Sequence, residues 1–530
     1  MIRRHTFLVI SLSLIWTPAL AAQGKSELIP LTKAVELMDK KVAEAQAELD
    51  DRVGKLVQAT TDEEKSAAAR ALAEQQKLIQ ESQIKAQKLR SIVPAKGPPA
   101  HKTMLGWLDV VQKATTKLPP PPGPSPALPD FSLADKRAQD TTESDAESIK
   151  SLTRYLIQGM KTDREKARAI FTWIIENISY DYDGFKQKQE VTKPDQVLLK
   201  RRTICAGYAY LFESMSKQAG LQVGTINGFA RVQLDHPLIG DVRTIRTQNG
   251  LAWGPHGWNS IKLDGKVYLV DPTWASRRQF INGKSEKNHE HNLDYFLIPP
   301  EALVYTHSPD DPKYQMLKNP LKRQEIETLP LLRPAFFRYD LKVGSAPQPT
   351  LGARDMVFVT LETPADVALT AYTRKMTSRD GRHDALVQRR DGVVEILAPT
   401  PGNGAYELLV FARKKDEDQE KGEWVMSYRV DAKGDNNAVA LPQVYADFLG
   451  KAYLHYPLTA SVAAGKMQSF AISVPDATKV VIRNNGKQSP LAKQGDMFVG
   501  SVALEAGEVL VAATFPDDTQ QRYLLKYTAK

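Results

Sequence analysis

The sequence predicts a multidomain chain: an N-terminal helical arm, a mixed α+β core, and two C-terminal all-β sandwiches. Three observations lead there. Apolar residues recur at helical spacing near the start, a run of prolines separates that region from the rest, and alternation of period two takes over beyond about residue 329. At 530 residues the chain has room for three or four domains, and its composition is that of an ordinary globular protein.

Residues 1–21 read as a secretory signal. Arg3 and Arg4 give the positive start, Phe7 to Ile15 the apolar centre, and Ala19-Leu20-Ala21 the small-residue cleavage site. The expected location is therefore outside the cytoplasm, periplasmic or extracellular. The apolar run is too short to span a bilayer, and no later segment is long and apolar enough to do so. Removal of Arg3 and Arg4 takes two from the formal charge of +9 and leaves +7. Acidic and basic residues are interspersed, without the concentrated basic stripe that nucleic acid demands.

Residues 22–117 form the expected arm. Leu28, Leu31, Val35, Met38, Val42, Ala45 and Leu49 make a heptad seam. Thr61 and Glu64 fit a capping box that opens a second helix through Leu72, Ile79 and Leu89. The reading is a helical hairpin or a coiled coil with a partner; the alternative is an Ala-, Gln- and Lys-rich arm that is only partly ordered. Residues 118–130 are a proline-rich, semi-rigid linker.

The core is expected over 131–325. Ile149, Leu152, Leu156 and Met160 give one amphipathic face, and Thr162 with Glu165 caps a buried helix through Ile170, Phe171 and Ile174. A third helix is expected from Cys205, with Thr203 as N-cap, to Gly220 as its stop. Strands follow at Leu221–Val232, Trp258–Leu263 and Lys266–Val270, the last two joined by Asp264-Gly265, a strong hairpin turn. Two immunoglobulin-like sandwiches are then expected, over 326–430 and 440–530. Phe336-Phe-Arg-Tyr-Asp-Leu341 and Tyr453-Leu-His-Tyr-Pro-Leu458 look like equivalent openings of the two.

Cys205 is the single cysteine of the chain. It cannot form an internal disulfide, so it is a small core residue, half of an intermolecular bridge, or a nucleophile. The first turn of a helix favours its thiolate and offers N–H donors to an oxyanion. The hairpin supplies partners. With Leu263 opposite Lys266, Trp258 falls opposite Asp271, and His256 becomes the diagonal neighbour of Asp271 on the same face, at roughly 7–8 Å. Papain-like folds use Cys, then His, then Asn or Asp in this chain order.

These residues carry a family resemblance. Thr203-Ile-Cys-Ala-Gly-Tyr-Ala209, His256-Gly-Trp-Asn259 and Lys262-Leu-Asp-Gly-Lys-Val-Tyr-Leu-Val-Asp-Pro-Thr-Trp274 resemble the three core motifs of the transglutaminase-like superfamily. Tyr295-Phe-Leu-Ile-Pro-Pro300 and His307-Ser-Pro-Asp-Asp-Pro312 resemble the kyphoscoliosis-peptidase branch, whose members carry β-rich modules after the core. The resemblance implies Cys205 as nucleophile, His256 as general base and acid, and Asp271 as its orienter. One departure is Gly257, where the family commonly has alanine.

Trp258 and Trp274 are candidate walls of a substrate cleft. His289-Glu290-His291 offers two metal ligands in a polar loop without a third or fourth. Neither a calcium loop nor a phosphate-binding glycine loop is present, so no cofactor or metal is expected. The function expected is an exported thiol enzyme acting on protein or peptide amide bonds through an acyl-enzyme, with hydrolysis favoured over amine transfer. The alternative is a non-catalytic envelope scaffold of the same fold. The helical arm and the β modules are the candidate surfaces for a protein partner.

Overall fold

The computed structural model describes residues 129–232, 245–246 (backbone), 252–287, 291–344, 349–353, 355–376, 381–390, 392–415, 422–433, 440–449, 451–516 and 520–530. The expected signal, the arm and nearly all of the linker lie outside the described residues.

Helices α1 (Ser132–Gln139), α2 (Ile149–Ile157) and α3 (Asp163–Asn177) open the core. Both later starts are capping boxes. Ser148 and Ser151 satisfy each other's backbone N–H at α2, and Thr162 and Glu165 do so at α3, each pair removing orphan donors from a helix start. Leu152, Leu156, Ala167, Ile170, Phe171 and Ile174 are fully buried, which fixes how these helices pack. Strand β1 (Ser179–Asp181) and helices α4 (Tyr182–Gln187) and α5 (Pro194–Lys200) lead to β2 (Arg202–Thr203) and α6 (Cys205–Gln218). Helix α6 ends in a Schellman motif: Gly220, at φ +82°, donates to the Lys217 carbonyl, and Leu221 donates to that of Ser216.

The main sheet runs β4 (Ile245–Arg246), β5 (Ala252–Leu263), β3 (Gln222–Val232), β9 (His307–Pro309), with β6 (Lys266–Val270) also on β5. Asp264 and Gly265 both have positive φ, as a type I′ turn needs, and Leu263 pairs with Lys266 as expected. Helix α7 (Pro272–Ala275) follows β6, and β7 (Arg278–Ile281) and β8 (Lys284–Lys287) complete a second sheet of order β2-β1-β7-β8.

The two sandwiches share one topology. In the first, strands at 331–332, 423–432, 404–414, 367–375 and 383–384 form one sheet in that order, and strands at 342–343, 356–362, 393–399 and 386–390 form the other. The second repeats this with strands at 443–444, 522–529, 507–514, 479–484 and 487–490 facing strands at 453–456, 467–473, 497–503 and 492–494. In each, a short strand pairs parallel with the last long one. The expected echo between Phe336 and Tyr453 does not hold. Phe336 lies in the short helix Pro334–Arg338, whereas Tyr453 opens a strand whose counterpart is Lys342–Val343. Aromatic spacing matched by chance what topology places at different points. No helix among the described residues is long and apolar enough to cross a membrane.

Candidate active site

Cys205 is the first residue of α6 and is half-buried. The N-cap is Ile204, not the expected Thr203. Thr203 belongs to β2, pairs with Tyr180, and donates its hydroxyl to the Val191 carbonyl. Held there and fully buried, that side chain cannot reach the helix amides. Gly207 accounts for the tight approach: a Cβ on it would lie 1.8 Å from Thr203 Oγ1 and 3.0 Å from the Val191 carbonyl. A polar cleft lined by Asp181, Gln187, Lys200, Arg202, Phe280 and Asn282 opens beside this approach.

His256 and Asp271 come together as the register implies. Nε2 of His256 lies 2.8 Å from Oδ2 of Asp271. Oδ1 accepts the Trp274 N–H at 2.9 Å, so Asp271 also caps α7. Since Nε2 is engaged, Nδ1 is the ring nitrogen left for the thiol, whose ionisation the His256 ring and the Gly257 N–H favour. Asn259 joins the two elements: its Nδ2 donates to the Ala209 carbonyl of α6 at 3.0 Å and to Thr225 Oγ1 at 3.3 Å.

The electrostatics favour an ion pair. Burial opposes ionisation of Cys205, but hydrogen bonding and charge from His256 and the Gly257 N–H outweigh it and bring the thiol below its ordinary 9.0. Burial likewise opposes charge on His256; the Asp271 carboxylate, then Cys205, overcome it and push the imidazole up to about 10. Against its own burial, Asp271 is held well below the usual carboxylate range, chiefly by His256 and then by His307. The His256 imidazolium thus supports the charge on both Cys205 and Asp271, while the Asp271 carboxylate itself works against the thiolate.

Of the two tryptophans, Trp274 is partly exposed, with its ring centroid 5.5 Å from that of His256. Trp258 is only 1% exposed and stacks behind His256 at 6.1 Å. Two residues further along β5 it shares the face of His256, but there the core covers it, so it backs the imidazole rather than lining an open cleft. His291 pairs with Glu176 at 3.0 Å. His307 opens the stretch His307-Ser-Pro-Asp-Asp-Pro312, and the sequence alone assigns it no role. Its Nε2 lies 3.0 Å from the same Asp271 oxygen that His256 uses. Nothing local in the sequence signals this, since β9 reaches the site only by pairing with β3. His256, Asp271 and His307 offer ligand atoms within 4.8 Å of one another, a spacing that could hold a cation, but those atoms are engaged in hydrogen bonds among themselves.

Comparison with known proteins matches residues 150–272 to the transglutaminase-like superfamily and residues 323–443 to the KY-like, immunoglobulin-like domain. Kyphoscoliosis peptidase of Mus musculus is 25% identical over 392 residues, which is 71% of this chain and 52% of that protein. The Homo sapiens protein of the same name is 27% identical over 390 residues, with the same shares. Hillarin of Drosophila melanogaster is 28% identical over 223 residues, 40% of this chain and 26% of its own length. The chain thus spans about half the length of the first two relatives and a quarter of the third. The chain carries a transglutaminase-like core followed by a KY-like, immunoglobulin-like domain, and over that span it is similar to the kyphoscoliosis peptidases.

Proposed function

We propose that this chain is an exported cysteine enzyme that cleaves amide bonds in a protein or peptide through an acyl-enzyme on Cys205. The observation that carries this reading is the 2.8 Å contact between His256 and the fully buried Asp271, beside a thiol at the start of a helix. The thiolate attacks the carbonyl carbon, and the oxyanion is met by N–H groups of the first turn of α6. His256 passes its Nδ1 proton to the leaving amine as the C–N bond breaks. The neutral ring then takes a proton from water, whose oxygen attacks the thioester; the C–S bond breaks, the acid leaves, and the departing thiolate beside the protonated ring restores the ion pair. Asp271 keeps the ring oriented and supports its charge.

Water needs no second substrate site, which favours hydrolysis over transfer to an amine, and the peptidase named among the relatives agrees with that direction. Export rests on the Arg3 to Ala21 pattern, and protein partners on the arm and the sandwiches. The test is Cys205→Ala assayed on amide substrates. Turnover is expected to fall on the order of 10⁴-fold or more. A variant as active as the parent would remove Cys205 from the mechanism.

A further inference from the structure

We propose that His307 is a positioning residue of this site, a neutral histidine that donates from Nε2 to Asp271 and holds its carboxylate on His256. The proposal rests on the reading of Cys205, His256 and Asp271 as the catalytic set, and extends it by a member outside both matched domains.

Placement comes first. Strand β9 lies against β3 with His307 opposite Ala230 and Pro309 opposite Gly228. Gly228 permits that approach, since a Cβ there would sit 2.3 Å from the Ser308 carbonyl oxygen and 2.9 Å from the Trp258 ring. The His307 ring, 1% exposed, then lies 4.6 Å from Trp274, 4.9 Å from Trp258 and 5.3 Å from His256, centroid to centroid.

The hydrogen bonds assign the tautomer. An ionised carboxylate only accepts, so Nε2 of His307 carries a proton toward Asp271. Nδ1 sits 2.8 Å from Thr306 Oγ1, whose single hydroxyl proton has two acceptors in reach, this nitrogen and the Leu303 carbonyl at 3.1 Å; a neutral ring protonated at Nε2 takes it at Nδ1. The charged groups facing this ring are Asp271, His256 and Arg333. Burial, opposed in part by Asp271 and reinforced by the other two cations, pushes His307 down to about 4. One carboxylate therefore serves two unlike imidazoles, one cationic and one neutral. A neutral donor completes the buried carboxylate's hydrogen bonds without a second positive charge to compete for it. A residue that only filled space would need no donor at this point.

The test uses the full chain, because its single thiol makes alkylation by iodoacetamide a direct readout of Cys205. The parent is expected to alkylate with a midpoint below the ordinary thiol value. His307→Leu, of similar bulk but without a donor, is expected to raise that midpoint by about one pH unit, the size of one hydrogen bond to a charged group. His307→Gln, which restores a donor near Nε2, is expected to return most of the shift. A folded His307→Leu with the parent's midpoint overturns the proposal. Should that variant fail to fold, ¹⁵N spectra of histidine-labelled parent decide. The ring signal lost in His307→Gln should be protonated at Nε2 alone and should not titrate near neutral pH. A cationic or Nδ1-protonated ring overturns the proposal. Ordinary thiol behaviour in the parent itself overturns the catalytic reading and this one together, whereas an activated parent thiol unaffected by His307→Leu overturns this one alone.

Discussion

At the residue scale, the Cys205–His256–Asp271 set makes a signed prediction about pH. A group whose pKa is raised on folding contributes stability that is fully present below its unfolded value and lost as pH rises through its folded value. That is His256, from 6.5 to about 10. A group whose pKa is lowered gains the folded state stability as pH rises toward its unfolded value. That is Cys205, below 9.0. As pH rises toward 9.0 the two oppose each other, since ionisation of the folded thiol adds stability while the imidazole's contribution is being lost. In Cys205→Ala the compensation is gone. Denaturant midpoints of that variant, taken relative to the parent, are expected to fall as pH rises toward 9.0. A difference that stays flat would mean that thiol and imidazole are not coupled.

At the element scale, two glycines near the site answer to different constraints. Gly257 has ordinary space: a Cβ would lie 3.6 Å from Asn227 Oδ1 and 3.7 Å from the Ala206 Cα. Gly257→Ala is therefore expected to stabilise the fold by about 0.4–1 kcal/mol through loss of unfolded-state freedom, with the alkylation profile unchanged. Gly207→Ala would gain helix propensity, yet its Cβ collides with Thr203 and the backbone of Val191. Overpacking is expected to win and to cost about 1–3 kcal/mol in unfolding free energy. Equal behaviour of the two variants would contradict the packing of β2 against α6.

At the scale of the molecule, the two sandwiches are joined unequally. Trp253, Val304 and Tyr305 of the core share one apolar cluster with the first sandwich. Arg231, stacked on Trp253 at 5.1 Å, donates to the carbonyls of Ile326 and Leu329. The second sandwich has its own cluster and meets the first through Leu386, the reciprocal Gln388–Leu454 bonds and the Tyr453–Glu395 contact. A chain ending at residue 440 is expected to keep the alkylation profile of Cys205. One ending at 325 uncovers Trp253 and Tyr305 and is expected to lose cooperative unfolding. Thermal denaturation with alkylation checks both.

The sequence by itself determined what acts locally. Capping boxes at Ser148 and Thr162 and the Asp264-Gly265 turn are set by hydrogen bonds within a few residues, and the turn carried the register that joins His256 to Asp271. It also determined the fold class of the core and of the two sandwiches, because periodicity survives without knowledge of neighbours. Tertiary structure decided the rest. Thr203 left the cap position because burial against Val191 and Gly207 outweighed capping preference. Trp258 lies behind His256, on the same face of β5, because the core packs over that face two residues on. His307 reached Asp271 across 36 residues because β9 pairs with β3. Such contacts follow from which strands meet, and a local pattern of residue types does not encode that.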